Sequence, residues 1–233
     1  MYDYDNLKSD EHVFHMWEPL DFNIKNNYKY IIDNPVFNIF KTLILMPIGF
    51  ILFIVNKIAF GYKIINKEKL TNGGCISVSN HIHPMDCTMI GLIYYPKSIY
   101  YPTIQSNFKI PIIRHLIRLL GAIPIPDKKD NFYKSINKAL NENKTIHMYP
   151  EGSMWPYYEQ IREFKYGAFK MAVDANKCIQ PIRFDFTKPT FYKRKKCIHA
   201  VILKPIKPDN NLEYKERIAD LRNRTYEALK VNK

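Results

Sequence analysis

An α/β fold, with a mostly parallel central sheet flanked by helices, is predicted by three observations. Beyond residue 63, short apolar runs alternate with segments whose apolar residues recur at helical spacing, the pattern of helices covering a parallel sheet. The chain has 233 residues, enough for one well-buried domain and too few for two generous ones. The two polar motifs with candidate functional side chains, 80–86 and 150–154, each directly follow an apolar run. In such sheets ligands gather beyond the carboxyl ends of the strands.

Residues 1–34 are polar and aromatic, with three Lys against seven Asp or Glu, and lack the basic start and small-residue cleavage site of a secretory signal. At residue 35 the composition changes. Residues 42–55 are uncharged between Lys41 and Lys57; as helix they span about 21 Å, short of the roughly 30 Å hydrocarbon core. Extension to 36–60 supplies the length only if both lysines snorkel to headgroups. Pro47 and Gly49 lie near the middle, so a kinked, re-entrant or interfacial helix is expected rather than a simple span. The alternative is a buried core helix, which a segment apolar on every face fits poorly. The chain thus divides into an arm with an apolar, membrane-associating helical element, 1–61, and a main domain, 62–233.

Strands are predicted over 75–78, 98–101, 122–125, 145–149, 179–184 and 197–203, with helices over 85–94, 108–120, 132–141, 165–176 and 212–230. Phe132, Ile136, Ala139 and Leu140 make a helical stripe behind Asp130, the expected cap. Ile218, Leu221 and Leu229 are the inward residues of the last helix. Within 108–120, Arg114 and Arg118 share a face and apolar residues spread widely around it. Such a helix either lies on an anionic membrane or packs on the sheet with its arginines solvated.

The formal net charge is +13; the first 34 residues contribute −4, leaving +17 on the remainder. That balance calls for an anionic partner: a phospholipid surface, a phosphorylated substrate or nucleic acid. Cys75, Cys87, Cys178 and Cys197 are scattered without a Cys-x-x-Cys pair, which indicates a reducing compartment and neither a disulfide framework nor a zinc site.

The most informative stretch is Asn80-His81-Ile82-His83-Pro84-Met85-Asp86. Pro84 suits a helix's first turn, so His81 falls in a strand-to-helix loop and Asp86 at the start of the helix. A reversal there brings imidazole and carboxylate within reach. The carboxylate fixes the tautomer and leaves the other ring nitrogen to take a proton from an attacking hydroxyl. Three competing readings stand beside this one: Asp86 interacting with the helix N-terminus, ordinary loop residues, and a metal held by His81, His83 and Asp86. No second ligand cluster lies nearby in sequence, so no metal is expected.

The second motif is Tyr149-Pro150-Glu151-Gly152-Ser153-Met154. Gly152 lets backbone N–H groups approach a ligand, and Ser153 can donate to a phosphate oxygen. Glu151 fits an anion site only by orienting neighbouring donors or pairing with a cation. Lys165 and Lys170 follow closely and can supply charge. An ordinary turn after a strand is the competing reading.

Together these motifs resemble the glycerolipid acyltransferase family, of which 1-acylglycerol-3-phosphate acyltransferase is the type. His81-x4-Asp86 and Pro150-Glu151-Gly152-Ser153 are joined by Gly121-Ala122-Ile123-Pro124-Ile125, Phe164-Lys165-Tyr166-Gly167-Ala168 and Gln180-Pro181-Ile182, in the family's order and spacing over roughly 62–205. The resemblance implies a membrane-associated enzyme, with its site on the cytoplasmic side, that transfers a fatty acyl group from acyl-CoA or acyl-carrier protein to a lysophospholipid hydroxyl. No cofactor and no nucleic acid are then expected. It implies His81 as general base, Asp86 as its orienting partner, and Asn80, Glu151, Gly152 and Ser153 in acceptor binding. Two departures bear on the acceptor. Where the family's third block usually ends in arginine this chain has Asp127, followed by Lys128 and Lys129, either of which can substitute as a point charge; and Ser153-Met154 stands where Thr-Arg is usual. A non-catalytic cationic protein that binds membrane or nucleic acid through the run 188–196, with Lys188, Lys193, Arg194, Lys195 and Lys196, is the rival from another class.

Overall fold

The register of the central sheet sets the two motifs side by side. In the computed structural model, which describes residues 4, 7, 8, 11, 13, 23, 24, 28–32, 34–189 and 196–230, the described strands are β1 (Lys63–Ile65), β2 (Ile76–Ser79), β3 (Ile99–Ile104), β4 (Ala122–Ile125), β5 (Thr145–Met148), β6 (Ile179–Thr187) and β7 (Cys197–Ile202). They form one sheet in the order β1-β7-β6-β2-β5-β3-β4. β4, β3, β5, β2 and β6 run parallel, β7 is antiparallel to β6, and β1 pairs with β7 in parallel. Val78 lies opposite Met148, and Ser79 opposite Ile182. The carboxyl ends of β2 and β5 therefore lie side by side, against the middle of the longer β6, as predicted for an α/β site.

The helices are α1 (Pro35–Phe60), α2 (Asp86–Tyr94), α3 (Pro111–Leu119), α4 (Asp130–Asn141), α5 (Gly167–Asp174) and α6 (Tyr214–Leu229). Alternation along the strands divides the core into two layers. Ile76, Val78 and Ile146 face α4, α5 and α6 through Phe132, Ile136, Leu140, Phe169 and Leu221. On the other face Ile182, Phe184, Ile198 and Ala200 meet α2 through Met89, Ile90 and Ile93. Both faces are thus covered, and the predicted stripes of α4 and α6 are the buried ones.

Several boundaries differ from the expected ones. The three-residue β1 lies at the sheet's edge and is too short to show alternation in sequence. The helix predicted from 108 begins at Pro111, because 105–108 form a 3₁₀ turn and proline at the first helical position sets the start. Asp130 is the first residue of α4 rather than its cap, and no side-chain cap bond forms at Lys129. In the basic run, Lys193, Arg194 and Lys195 lie outside the described residues.

α1 runs as one continuous helix through Pro47. Asn34 caps its N-terminus by accepting from the Val36 and Phe37 N–H groups, and Gly61 closes its C-terminus in the left-handed conformation. Its 26 residues span about 39 Å, long and apolar enough to cross a membrane by length and composition, and only 6% of the apolar window is buried. A buried core helix is therefore excluded. Gly49 does not break the helix; it makes room for Tyr95, whose ring would meet an added Cβ at 2.6 Å. Lys41 is buried, with Nζ 5.2 Å from the centre of the Tyr100 ring, so this lysine docks α1 on the sheet instead of snorkelling.

Candidate active site

The loop after β2 turns back on itself at Pro84, and its geometry follows from that reversal. His81 Nδ1 lies 2.7 Å from Asp86 Oδ2. The same carboxylate oxygen accepts from the Ile82 and His83 N–H groups at 3.2 and 3.4 Å, and Oδ1 accepts from the Tyr149 hydroxyl at 2.9 Å. Asp86 is buried at the first residue of α2, so it also sits at the positive end of the helix dipole. The capping and dyad readings of this aspartate are both satisfied by one carboxylate. Because Asp86 accepts at Nδ1, that nitrogen carries the imidazole proton and Nε2 is left with a lone pair. No described residue bonds Nε2, and the His81 side chain is 22% exposed.

Tyr149 fixes the plane of this imidazole. Its ring stacks on His81 with centroids 3.8 Å apart and planes within 10°, while its hydroxyl holds Asp86. One side chain, arriving from the end of β5, thus touches both members of the dyad. The neighbouring His83 turns away: its Nδ1 accepts from the Met85 N–H at 3.1 Å and its ring meets Phe60 and Tyr157 edge-on. Burial lowers its pKa, opposed by Asp86. His81 and His83 point their Nδ1 atoms at different partners, and among the described residues no group of three or more His, Cys, Asp or Glu converges to hold a metal.

Beneath the dyad lies a second histidine with no exposed atom to offer. His147, on β5, is buried between Ser77 and Ser79 of β2, at 3.0 Å from Nδ1 and 3.3 Å from Nε2. The Ser79 hydroxyl donates to the Asn80 carbonyl, so it accepts from Nε2–H, and Ser77 donates to Nδ1. Burial drives the His147 pKa down to about 3, which keeps this ring neutral.

The second motif is built on an ion pair. Glu151 is buried; Oε2 accepts from Arg162 at 2.9 Å and from the His81 backbone N–H at 3.3 Å, and Oε1 accepts from the Arg162 N–H at 3.1 Å. Arg162 donates to Ser153 Oγ at 2.8 Å and to the Ser153 carbonyl, and its guanidinium lies over the Trp155 ring. Burial pushes Glu151 up and Arg162 down, and their mutual attraction opposes both shifts. Arg162 is the side chain that sequence reasoning missed. Its one signal was the demand of Glu151 for a cation; it comes eleven residues later, past an irregular loop.

The expected site residues fall into two sets. Asn80 exchanges bonds with the Phe184 backbone at 3.0 and 2.8 Å, joining the ends of β2 and β6, so its amide and the Glu151 carboxylate are engaged within the protein. Gly152 has φ +80°, and the Lys165 side chain lies across it, 2.8 Å from where a Cβ would sit. Gly152 and Lys165 are exposed at the mouth of the site. Lys128 and Lys129 are exposed on the turn after β4, two strands from β5 and so about 10 Å away at ordinary strand spacing. Among the described residues no hydrogen bond or ion pair joins their side chains to the His81 cluster.

Residues 61–185, more than half of the chain, match the family model described as Acyltransferase. The chain belongs to the acyltransferase family. One curated relative of this acyltransferase is the 1-acyl-sn-glycerol-3-phosphate acyltransferase of Saccharomyces cerevisiae, 24% identical over 176 residues, which cover 68% of this chain and 57% of the yeast protein. The chain thus spans little more than half the length of that relative. Among solved structures, the 1-acyl-sn-glycerophosphate acyltransferase PlsC of Thermotoga maritima superposes with a TM-score of 0.59 at 16% identity, over 83% of this chain and 86% of that one. The likeness establishes a shared fold.

Proposed function

We propose that this protein is a membrane-associated O-acyltransferase that moves a fatty acyl group from an acyl thioester, acyl-CoA or acyl-carrier protein, to the free hydroxyl of a lysophospholipid. The acceptor we assign is 1-acylglycerol-3-phosphate, giving phosphatidic acid, with the site on the cytoplasmic side. The observation that carries the reading is His81, held by Asp86 at 2.7 Å, with its side chain partly exposed and Nε2 unbonded among the described residues. An alcohol does not attack a thioester at neutral pH unaided, and a positioned base contributes roughly 10²–10⁴-fold.

His81 Nε2 takes the acceptor's hydroxyl proton as its oxygen attacks the thioester carbonyl. Asp86 stabilises the imidazolium that forms, without itself taking the proton. The tetrahedral intermediate then collapses, the C–S bond breaks, and the imidazolium returns the proton to the departing thiolate. No acyl-enzyme is needed, because the acceptor's own hydroxyl is the nucleophile. Gly152 and Lys165, which are exposed, bind the acceptor's phosphate, Ser153 is buried against Arg162 and supports that turn from within, and Lys128 and Lys129 add charge at longer range. Glu151 and Asn80 act as positioning residues, Glu151 through the His81 backbone and Asn80 through β6. Support comes from the membership of the family and from the names of the relatives.

The test is acyl transfer from labelled acyl-CoA and from acyl-carrier protein to 1-acylglycerol-3-phosphate, with wild type beside His81→Ala. Turnover lost by at least a hundredfold in a folded variant is the expected result. Undiminished turnover in His81→Ala removes the mechanism. Failure of the wild type with both donors across a panel of lysophospholipids favours the non-catalytic cationic protein.

A further inference from the structure

α3 leaves an apolar stripe uncovered. None of its residues is buried, and Ile112, Leu116 and Leu120, which share one face at a spacing of four, are 83%, 51% and 37% exposed. A helix on a soluble domain places that stripe against the core. Toward the protein lie the half-buried Ile113, Ile117 and Leu119 together with Arg118, which donates to the Tyr28 hydroxyl at 2.7 Å and to the Lys29 carbonyl, with its guanidinium over the Tyr28 ring; apolar residues thus occupy both sides of the helix, and one side is uncovered.

Two further observations say what covers the outward face. Arg118 lines one cavity with Phe37 and Lys41 of α1 and Tyr100 of β3, so the end of α3 adjoins the first turns of α1. There Val36, Ile39, Phe40 and Leu43 are each more than 60% exposed. The stripe of α3 therefore ends close to a helix that is itself long and apolar enough to cross a membrane. Lys109 is exposed just ahead of the helix, whereas Arg114 lies on the opposite side, on the face of Arg118; a cation at the end of an apolar stripe suits anionic headgroups. Two side chains on a nine-residue helix and a third at its C-cap also fall well short of the roughly 800 Å² per partner of a stable protein interface.

We propose that α3 is a second lipid-contacting element. It lies in the plane of an anionic bilayer surface beside α1, with Ile112, Leu116 and Leu120 at the acyl boundary and Lys109 at the phosphates. The exposed stripe and its place beside α1 point to lipid independently of the acyl-transfer reading.

The test reads lipid contact rather than activity. Full-length Ile112→Trp, Leu116→Trp and a control, Lys215→Trp on α6, are reconstituted in vesicles of phosphatidylcholine with phosphatidylglycerol. Emission added over that of the wild-type tryptophans is compared with and without bromines on the acyl chains. All three positions are outside the core, so folding is expected to be retained; circular dichroism checks it, and flotation checks that every variant stays vesicle-bound. The expected result is at least a twofold loss of the added emission at 112 and 116, little at 215, and weaker quenching when phosphatidylglycerol is omitted. Emission at 112 and 116 indifferent to bromine overturns the proposal. So does emission that is shielded from bromine but depends on protein concentration, which marks a second copy of the chain. Equal quenching without phosphatidylglycerol overturns the anionic part.

Discussion

The Tyr149 hydroxyl is an addition to what the ring already does. Phenylalanine would keep the stack on His81, so Tyr149→Phe isolates the bond to Asp86 Oδ1. A hydrogen bond to a charged group is worth about 1.5–3 kcal/mol, and we expect kcat to fall roughly ten- to a hundredfold with KM little changed. Steady-state kinetics decide it, and unaltered kcat would show that Ile82, His83 and His81 hold Asp86 without help. The Glu151–Arg162 pair gives a second case. Arg162→Met leaves a buried carboxylate without its cation, which costs about 3–5 kcal/mol; adding Glu151→Gln should restore much of that stability. Denaturant unfolding of the two singles and the double checks this, and additive losses would deny the coupling. These two networks also show what sequence can reveal of a site. His81 and Asp86 are five residues apart in one turn, so their meeting was legible from local geometry. Tyr149 and Arg162 reach their partners through the β2–β5 register and an irregular loop, and neither leaves a periodic trace.

The β2–β5 pair carries a prediction of its own, through His147. In the folded protein burial between Ser77 and Ser79 holds its pKa at about 3, against an ordinary 6.5. The unfolded chain therefore binds a proton as pH falls through 6.5, and the folded chain does not until about 3. More protons on the unfolded side mean that stability is full above 6.5 and declines as pH falls across this window, by up to roughly 1.4 kcal/mol per pH unit. Replacement by asparagine, which keeps polar contacts without titrating, should remove that component. The stability difference between wild type and His147→Asn, followed from pH 7 to 4, should move steadily in favour of the variant. A difference independent of pH would mean that His147 is not held neutral. At this scale sequence was most readable where periodicity is long. The stripe of α4 came out residue for residue. β1 did not, since three residues are too few to alternate, and the outward face of α3 could not, because an amphipathic pattern names two faces without saying which one meets the protein.

For the whole molecule the central asymmetry is α1. One line of it, Leu52, Asn56 and Phe60 with Lys41 nearer the start, is fitted to the domain: Asn56 bonds Thr88, Leu52 and Phe60 pack on the α2 layer, and Lys41 covers Tyr100. The remainder, including Ile39, Leu43, Phe50 and Ile54, is exposed. Deleting the helix would therefore uncover the core as well as remove the membrane face, and loss of lipid binding would have two causes. Polar replacement of the outward residues alone separates them. With Ile39, Leu43, Phe50 and Ile54 all changed to Gln, the α2-facing line is intact and the fold should persist. Burying a large apolar side chain contributes about 1.5–3 kcal/mol, so four such changes should convert tight, salt-resistant association into release at high salt. Flotation with anionic vesicles across a salt series measures this. Binding that stays tight at 1 M salt would place the main anchor outside α1. Residual binding confined to low salt and anionic lipid is the result expected of a basic domain touching the bilayer through α3, since charges separated by more than a Debye length, about 10 Å at 0.1 M, are screened from one another.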